Sequence, residues 1–124
     1  MTQKILLPII AIILIYIIFN INYQINDKTA IGIYVNKNFE NPICCVESPH
    51  VPDTLTLNKN GTFYSKYYGN GKYKLGSGFE TKIELNSTDI GKELTHKTYF
   101  ENKICAKPRI ILNADMNHYY EKIE

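Results

Sequence analysis

Asp53 to Leu75 read DTLTLNKNGTFYSKYYGNGKYKL, with Asn-Gly pairs at Asn60-Gly61 and Asn70-Gly71 and aromatic residues crowded between them. TLTL alternates, NKNG turns, TFYSKYY runs extended, GNG turns again and KYKL extends. Asn-Gly between alternating runs is the strongest short-range hairpin signal, because both residues tolerate the positive φ of a type I′ turn. With a strand period of two, Phe63, Ser65 and Tyr67 face one way, and Thr62, Tyr64, Lys66 and Tyr68 face the other. Leu55 with Leu57, Tyr73 with Leu75, and Ile83 with Leu85 supply matching apolar faces, so Phe63 and Tyr67 are read as core. Tyr64, Lys66 and Tyr68 are left outside, as a solvated face or an interaction patch, since exposed aromatics are enriched at interfaces.

The same rhythm continues on both sides. AIGIYV (30–35) precedes the hairpins, and TKIEL (81–85), HKTYF (96–100), RIIL (109–112) and HYYEKI (118–123) follow them. Strands at such spacing with turn signals between them predict an all-β antiparallel meander closing into a small barrel or sandwich. No amphipathic helical run of ten or more residues occurs, which argues against parallel βαβ units. NKNFENPICCVESPHVPD, with Pro42, Pro49 and Pro52 and no period, is read as a long loop.

The amino terminus differs in kind. After Lys4 the chain is apolar and uncharged from Ile5 to Phe19. As a helix at about 1.5 Å per residue this run is roughly 22 Å long, short of the roughly 30 Å hydrocarbon core and close to a signal-peptide h-region. Cleavage needs small residues before the cut, and NINYQIN offers none, while Ala30 has Lys28 two places before it. Residues 1–25 are therefore read as an uncleaved membrane anchor, with Asn20 to Tyr23 in the interface where Tyr is at home. Residues 26–29 are a polar linker and 30–124 the β-domain. Lys4 stays cytoplasmic by the positive-inside rule, so the domain faces the periplasm or exterior. The alternative is a cleaved signal and a secreted or periplasmic domain.

The order GIYV, DTLTLNKNGTFYSKYY, GKYKL, KIEL and RIILNADMNHYYEKI resembles small, uncharacterised envelope proteins of Bacteroidota with a lipocalin-like antiparallel barrel, over residues 30–124. The resemblance implies an up-and-down barrel outside the cytoplasm and carries over no catalytic residues. Those proteins commonly carry a lipidated cysteine near the start, and this chain has none.

Composition narrows the chemistry. Beyond residue 29 the chain holds 12 basic and 11 acidic residues, with Arg109 the only arginine. A nucleic-acid reader normally shows a basic excess or stripe, so that class is set aside. Outside the cytoplasm the odd set Cys44, Cys45 and Cys105 implies one disulfide and one leftover thiol. A bridge from Cys105 to Cys44 or Cys45, closing a loop of about sixty residues, contributes on the order of 4 kcal/mol by chain entropy. A metal site using Cys44, Cys45, His50 and His96 or His118 lacks the usual C-x-x-C or H-x-x-x-H spacing, and no metal or cofactor is expected. There is no G-x-S-x-G elbow, and Ser77 in GSGF reads as a turn. Nothing but chance pairs Cys105 with His118 as a nucleophile and base, and Glu40, Glu47, Glu80 and Glu84 read as solvated. Asn60 and Asn86 head glycosylation-type triplets that turn chemistry explains as well.

Without a catalytic motif the chain is read as a binding or structural module rather than an enzyme, holding a small apolar ligand or an envelope component in or at its barrel. The alternative is a protein-interaction domain of inhibitor or immunity type, using the Tyr64, Lys66, Tyr68 face. A hollow interior favours the first and a filled one the second.

Overall fold

The computed structural model describes residues 2–42, 48–89, 91 and 94–124. Helix α1 (Thr2–Asn20) and the short α2 (Asp27–Ala30) precede β1 (Gly32–Lys37), β2 (Thr54–Leu57), β3 (Thr62–Ser65), β4 (Gly69–Gly76), β5 (Lys82–Ser87), β6 (Thr95–Glu101), β7 (Arg109–Asn113) and β8 (His118–Lys122). Each strand pairs antiparallel with the next, and β8 returns to β1 to close the barrel. The expected meander is present, and as a closed barrel rather than a sandwich. Closure leaves no strand edge unpaired, which removes the template that edges offer for aggregation.

Alternation sends Tyr34, Leu55, Leu57, Phe63, Ile83, Leu85, Phe100, Ile110 and Tyr120 inward, each no more than 2% exposed. Tyr34 and Phe100 meet with ring centroids 6.2 Å apart, and the Tyr34 hydroxyl donates to Ala30 O at 2.6 Å. The interior is filled by side chains, as eight-stranded barrels allow.

The two ends are closed differently. At the base, where α1 leaves, Asn26 caps α2 by accepting from Thr29 N, and Ala30 is fully buried. The expected linker is thus a helical turn sealing the barrel. Residues 22–25 are also docked there. Asn22 donates to Phe100 O and accepts from Asn102 N, Tyr23 N donates to Asn102 O, and Ile25 N donates to Thr81 Oγ1. At the opposite end, the mouth, buried Ser48 and Pro49 of the long β1–β2 connection lie over the interior.

The first Asn-Gly pair turns as expected, though by a different geometry. Gly61 alone takes positive φ, at 80°, while Asn60 Oδ1 accepts from Thr62 N in an Asx turn. A type I turn followed by a left-handed glycine joins β2 to β3. The second pair does not turn, because Asn70 and Gly71 lie inside β4 opposite Tyr64 and Phe63. A Cβ on Gly71 would meet Phe63 Cε1 at 2.6 Å and overlap Asn86 O, so this glycine makes room for the core. The turn is instead Lys66 to Tyr68, where Ser65 Oγ accepts from Tyr67 N at 3.1 Å and Tyr68 N at 2.8 Å.

Every described side chain of α1 from Lys4 to Asn20 is exposed. Among the described residues no helix is long and apolar enough to cross a membrane, so the membrane-spanning anchor expected over residues 1–25 finds no support in the length and apolarity of α1.

The expected disulfide is not formed by Cys105, which is an exposed free thiol on the β6–β7 turn at the base. Cys44 and Cys45 lie outside the described residues. Their described neighbours are held at the mouth: Asn41 Nδ2 donates to Met116 O, and Ser48 Oγ lies 3.5 Å from His118 Nδ1. Cys105 on the β6–β7 turn and His118 at the start of β8 lie at opposite ends of the barrel, so the structure does not bring that pair together.

Candidate functional site

The mouth gathers a buried polar cluster that begins with Asp53, at the entry to β2. Asp53 N donates to Asn36 Oδ1 at 2.7 Å, and Asn36 Nδ2 donates to Val51 O at 2.7 Å. The Asp53 carboxylate is aimed inward and is 6% exposed. Its Oδ2 accepts from Ser65 Oγ at 2.8 Å and Tyr120 OH at 2.5 Å, and its Oδ1 accepts from Lys66 N at 3.1 Å. A buried carboxylate costs several kcal/mol unless such donors surround it. Three donors hold it here, leaving it poorly placed to act as a base on a ligand. Its consequence is mechanical, since it ties β2, the β3–β4 turn and β8 together.

Aromatic rings extend the cluster. Tyr68 packs edge-on against Tyr67 at 4.8 Å and lies 5.2 Å from the His96 ring and 6.5 Å from Tyr120. His118, 1% exposed, donates from Nε2 to Asn41 O at 3.0 Å, and its ring centroid is 5.9 Å from His50. Among the described residues no group of three or more His, Cys, Asp or Glu is placed to hold a metal.

Of the three residues expected on an outer face, Tyr64 is 52% exposed and Lys66 is exposed, but Tyr68 is 6% exposed. The alternation that would put Tyr68 beside Tyr64 stops at Ser65, where the chain leaves the strand. Tyr68 then folds over the mouth, and Tyr67, expected in the core, is 38% exposed. Sequence reasoning missed the roles of Asp53, Asn36 and Tyr120. The one signal was Ser65, a hydroxyl on the same face as Phe63, which must find a partner if buried.

Tyr64 and Lys66 line a groove of about 390 Å³ on the outer wall near the mouth, together with Val35, Lys37, Phe39 and Pro52. Asn36, Asp53 and Thr54 complete its lining, so mostly apolar walls meet a few polar groups beside the two lysines. A second outer groove of about 520 Å³, nearer the base, is lined by Lys74, Lys82, Lys97, Glu80, Glu84 and Tyr99 among others. Its charges are already matched in part. The Asn86 amide, donating at 3.0 Å, and then Lys97 at 3.5 Å hold the Glu84 carboxyl below the usual carboxylate range.

Two buried hydroxyls make the fold alkali-sensitive. Burial, reinforced by the neighbouring Tyr73, holds Tyr34 well above the ordinary tyrosine range. Burial does the same for Tyr120, with its hydrogen bond to Asp53 adding to the effect. Both folded-state values lie above the unfolded value of about 10. The unfolded chain therefore binds fewer protons above that pH, and stability present below it is lost as pH rises. Tyrosinate absorbance followed beside circular dichroism is expected to show two tyrosines ionising only as the β-sheet signal collapses. Full ionisation of all ten tyrosines with the sheet intact would contradict this. No protein family, curated protein or solved structure matches this chain.

Proposed function

We propose that this protein is a membrane-anchored, extracytoplasmic interaction module whose outer-wall groove at Tyr64 and Lys66 receives a segment of a partner protein. The observation that carries the reading is the filled interior. Tyr34, Phe63, Phe100 and Tyr120 occupy the space that a small apolar ligand would need, and Tyr64 keeps half of its surface accessible on the outer wall. The apolar groups Val35, Phe39, Pro52 and Tyr64 beside Lys37 and Lys66 suit a partner side chain of aromatic or aliphatic type next to a carboxylate. Interfaces are enriched in such exposed tyrosines, whose rigid rings cover area at low entropic cost.

The anchor part of the reading is supported by α1, whose described apolar side chains are exposed on every side. The up-and-down order of the strands supports the likeness to lipocalin-like envelope barrels.

A photo-reactive phenylalanine analogue at position 64 of the full chain, in its native membranes, tests the groove. One discrete cross-linked envelope protein is expected, with yield falling several-fold on adding Lys37→Glu and Lys66→Glu, while the same analogue at position 99 gives no such product. Saturable uptake of an apolar fluorescent dye by the wild-type barrel, without any cross-link at position 64, would instead return the protein to the ligand-binding class.

A further inference from the structure

We infer that the base of the barrel is a lipid-docking surface, in which Phe79 and Ile104 enter the interface of the bilayer that holds α1; the inference rests on the anchored reading above. Phe79, on the β4–β5 turn, is fully exposed, and Ile104, on the β6–β7 turn, is 40% exposed. A phenylalanine standing wholly in water leaves unburied an apolar area that the fold has no use for.

The position of these residues is what selects lipid. The chain leaving α1 is stitched to both turns, since Gln24 Nε2 donates to Gly78 O at 2.7 Å and Tyr23 N donates to Asn102 O at 2.8 Å. Phe79 and Ile104 therefore flank the root of the helix, with Ile21, 44% exposed, between helix and barrel. No flexible spacer stands between α1 and the base. Wherever the carboxyl end of α1 sits, the two turns sit beside it.

Helix length points the same way. The uncharged run of α1 covers roughly 22 Å of a hydrocarbon core of roughly 30 Å. A span that falls short draws its flanking groups inward or thins the bilayer, and apolar side chains on the adjoining turns lower the cost of that approach.

Charge is distributed to match. Among the described connecting residues, the base carries Lys28, Lys59, Lys103 and Lys107 against Asp27, Glu80 and Glu124, while the mouth carries Glu40, Asp53, Asp89 and Asp115 against Lys66. Lysines near an anionic surface each contribute about 1 kcal/mol of attraction. Of the two ends, the one that bears α1 is the less acidic and the richer in lysine.

The chain contains no tryptophan, so single Trp substitutions in the full protein report depth without background. Four variants, Phe79→Trp, Ile104→Trp, Tyr67→Trp and Leu14→Trp, are reconstituted into vesicles of equal parts phosphatidylcholine and phosphatidylglycerol, with and without brominated acyl chains. Trp at 79 and 104 is expected to emit blue-shifted light and to be quenched several-fold more by bromolipid than Trp at 67, with quenching weaker in pure phosphatidylcholine. Quenching at 14 without quenching at 79 and 104 overturns the docking surface and leaves the anchor standing. Loss of quenching at 14 as well overturns the anchored reading itself. A blue shift at 79 that ignores bromolipid but follows the protein-to-lipid ratio assigns this surface to a second copy of the chain, and the lipid proposal fails.

Discussion

Phe63→Ala is expected to lower the stability of the barrel by about 3–5 kcal/mol, the range for a buried aromatic truncated in a core that cannot collapse around the space. Phe63 is 2% exposed, and its ring lies where Gly71 has no side chain, so a void there has backbone rather than a mobile group as one wall. Tyr64→Ala, one residue on, is expected to change stability by no more than about half a kcal/mol, because Tyr64 is 52% exposed. Tyr68→Ala should resemble Phe63 more than Tyr64, since its ring is buried beneath the mouth against His96 and Tyr120. Urea denaturation of the three variants as full chains in mild detergent measures the differences. Equal losses for Phe63→Ala and Tyr64→Ala would mean that the hairpin is buried on both faces and would remove the proposed outer-wall site.

Asp53→Ala is the second large effect expected. It leaves the Tyr120 and Ser65 hydroxyls without their acceptor in a buried site, each orphaned group costing about 1–3 kcal/mol, and it releases the Lys66 amide. The loss is expected to reach about 3–5 kcal/mol, with two such groups and a freed amide combined. Tyr120→Phe removes one donor and keeps the ring, so its cost should be about 1–2 kcal/mol. Combining the two changes should cost less than their sum, because they share one hydrogen bond. The same denaturation experiment measures the cycle. Strict additivity, or an Asp53→Ala variant as stable as wild type, would show that the cluster does not hold the mouth closed.

Part of this architecture was legible residue by residue. Leu55 and Leu57, Phe63 against Tyr64, and Ile83 and Leu85 all lie on the faces that a period of two assigns them, because alternation is imposed by the geometry of each strand alone. The apolar run after Lys4 is a helix, since a charge-free stretch of large aliphatic residues has few alternatives once its backbone must be satisfied. Asn60-Gly61 turns because the Asn side chain and a glycine at positive φ supply the turn locally.

What the tertiary structure decided is what depends on distant parts of the chain. Asn70-Gly71 has the same local preference for turning, yet it stays extended, because the ring of Phe63 and the carbonyl of Asn86 occupy the place of a side chain at Gly71. Moving the turn to Lys66–Tyr68 sent Tyr68 inward and Tyr67 outward, and brought Ser65 to Asp53. The same closure joined β1 to β8, with Tyr34 opposite Lys122, and placed Cys105 at the opposite end from His118. Sequence by itself determined which faces are apolar, since that follows from neighbours along one strand. Tertiary packing alone decided where each strand stops and which polar groups are buried together, because both turn on volume and hydrogen-bond partners supplied by residues far away in the chain.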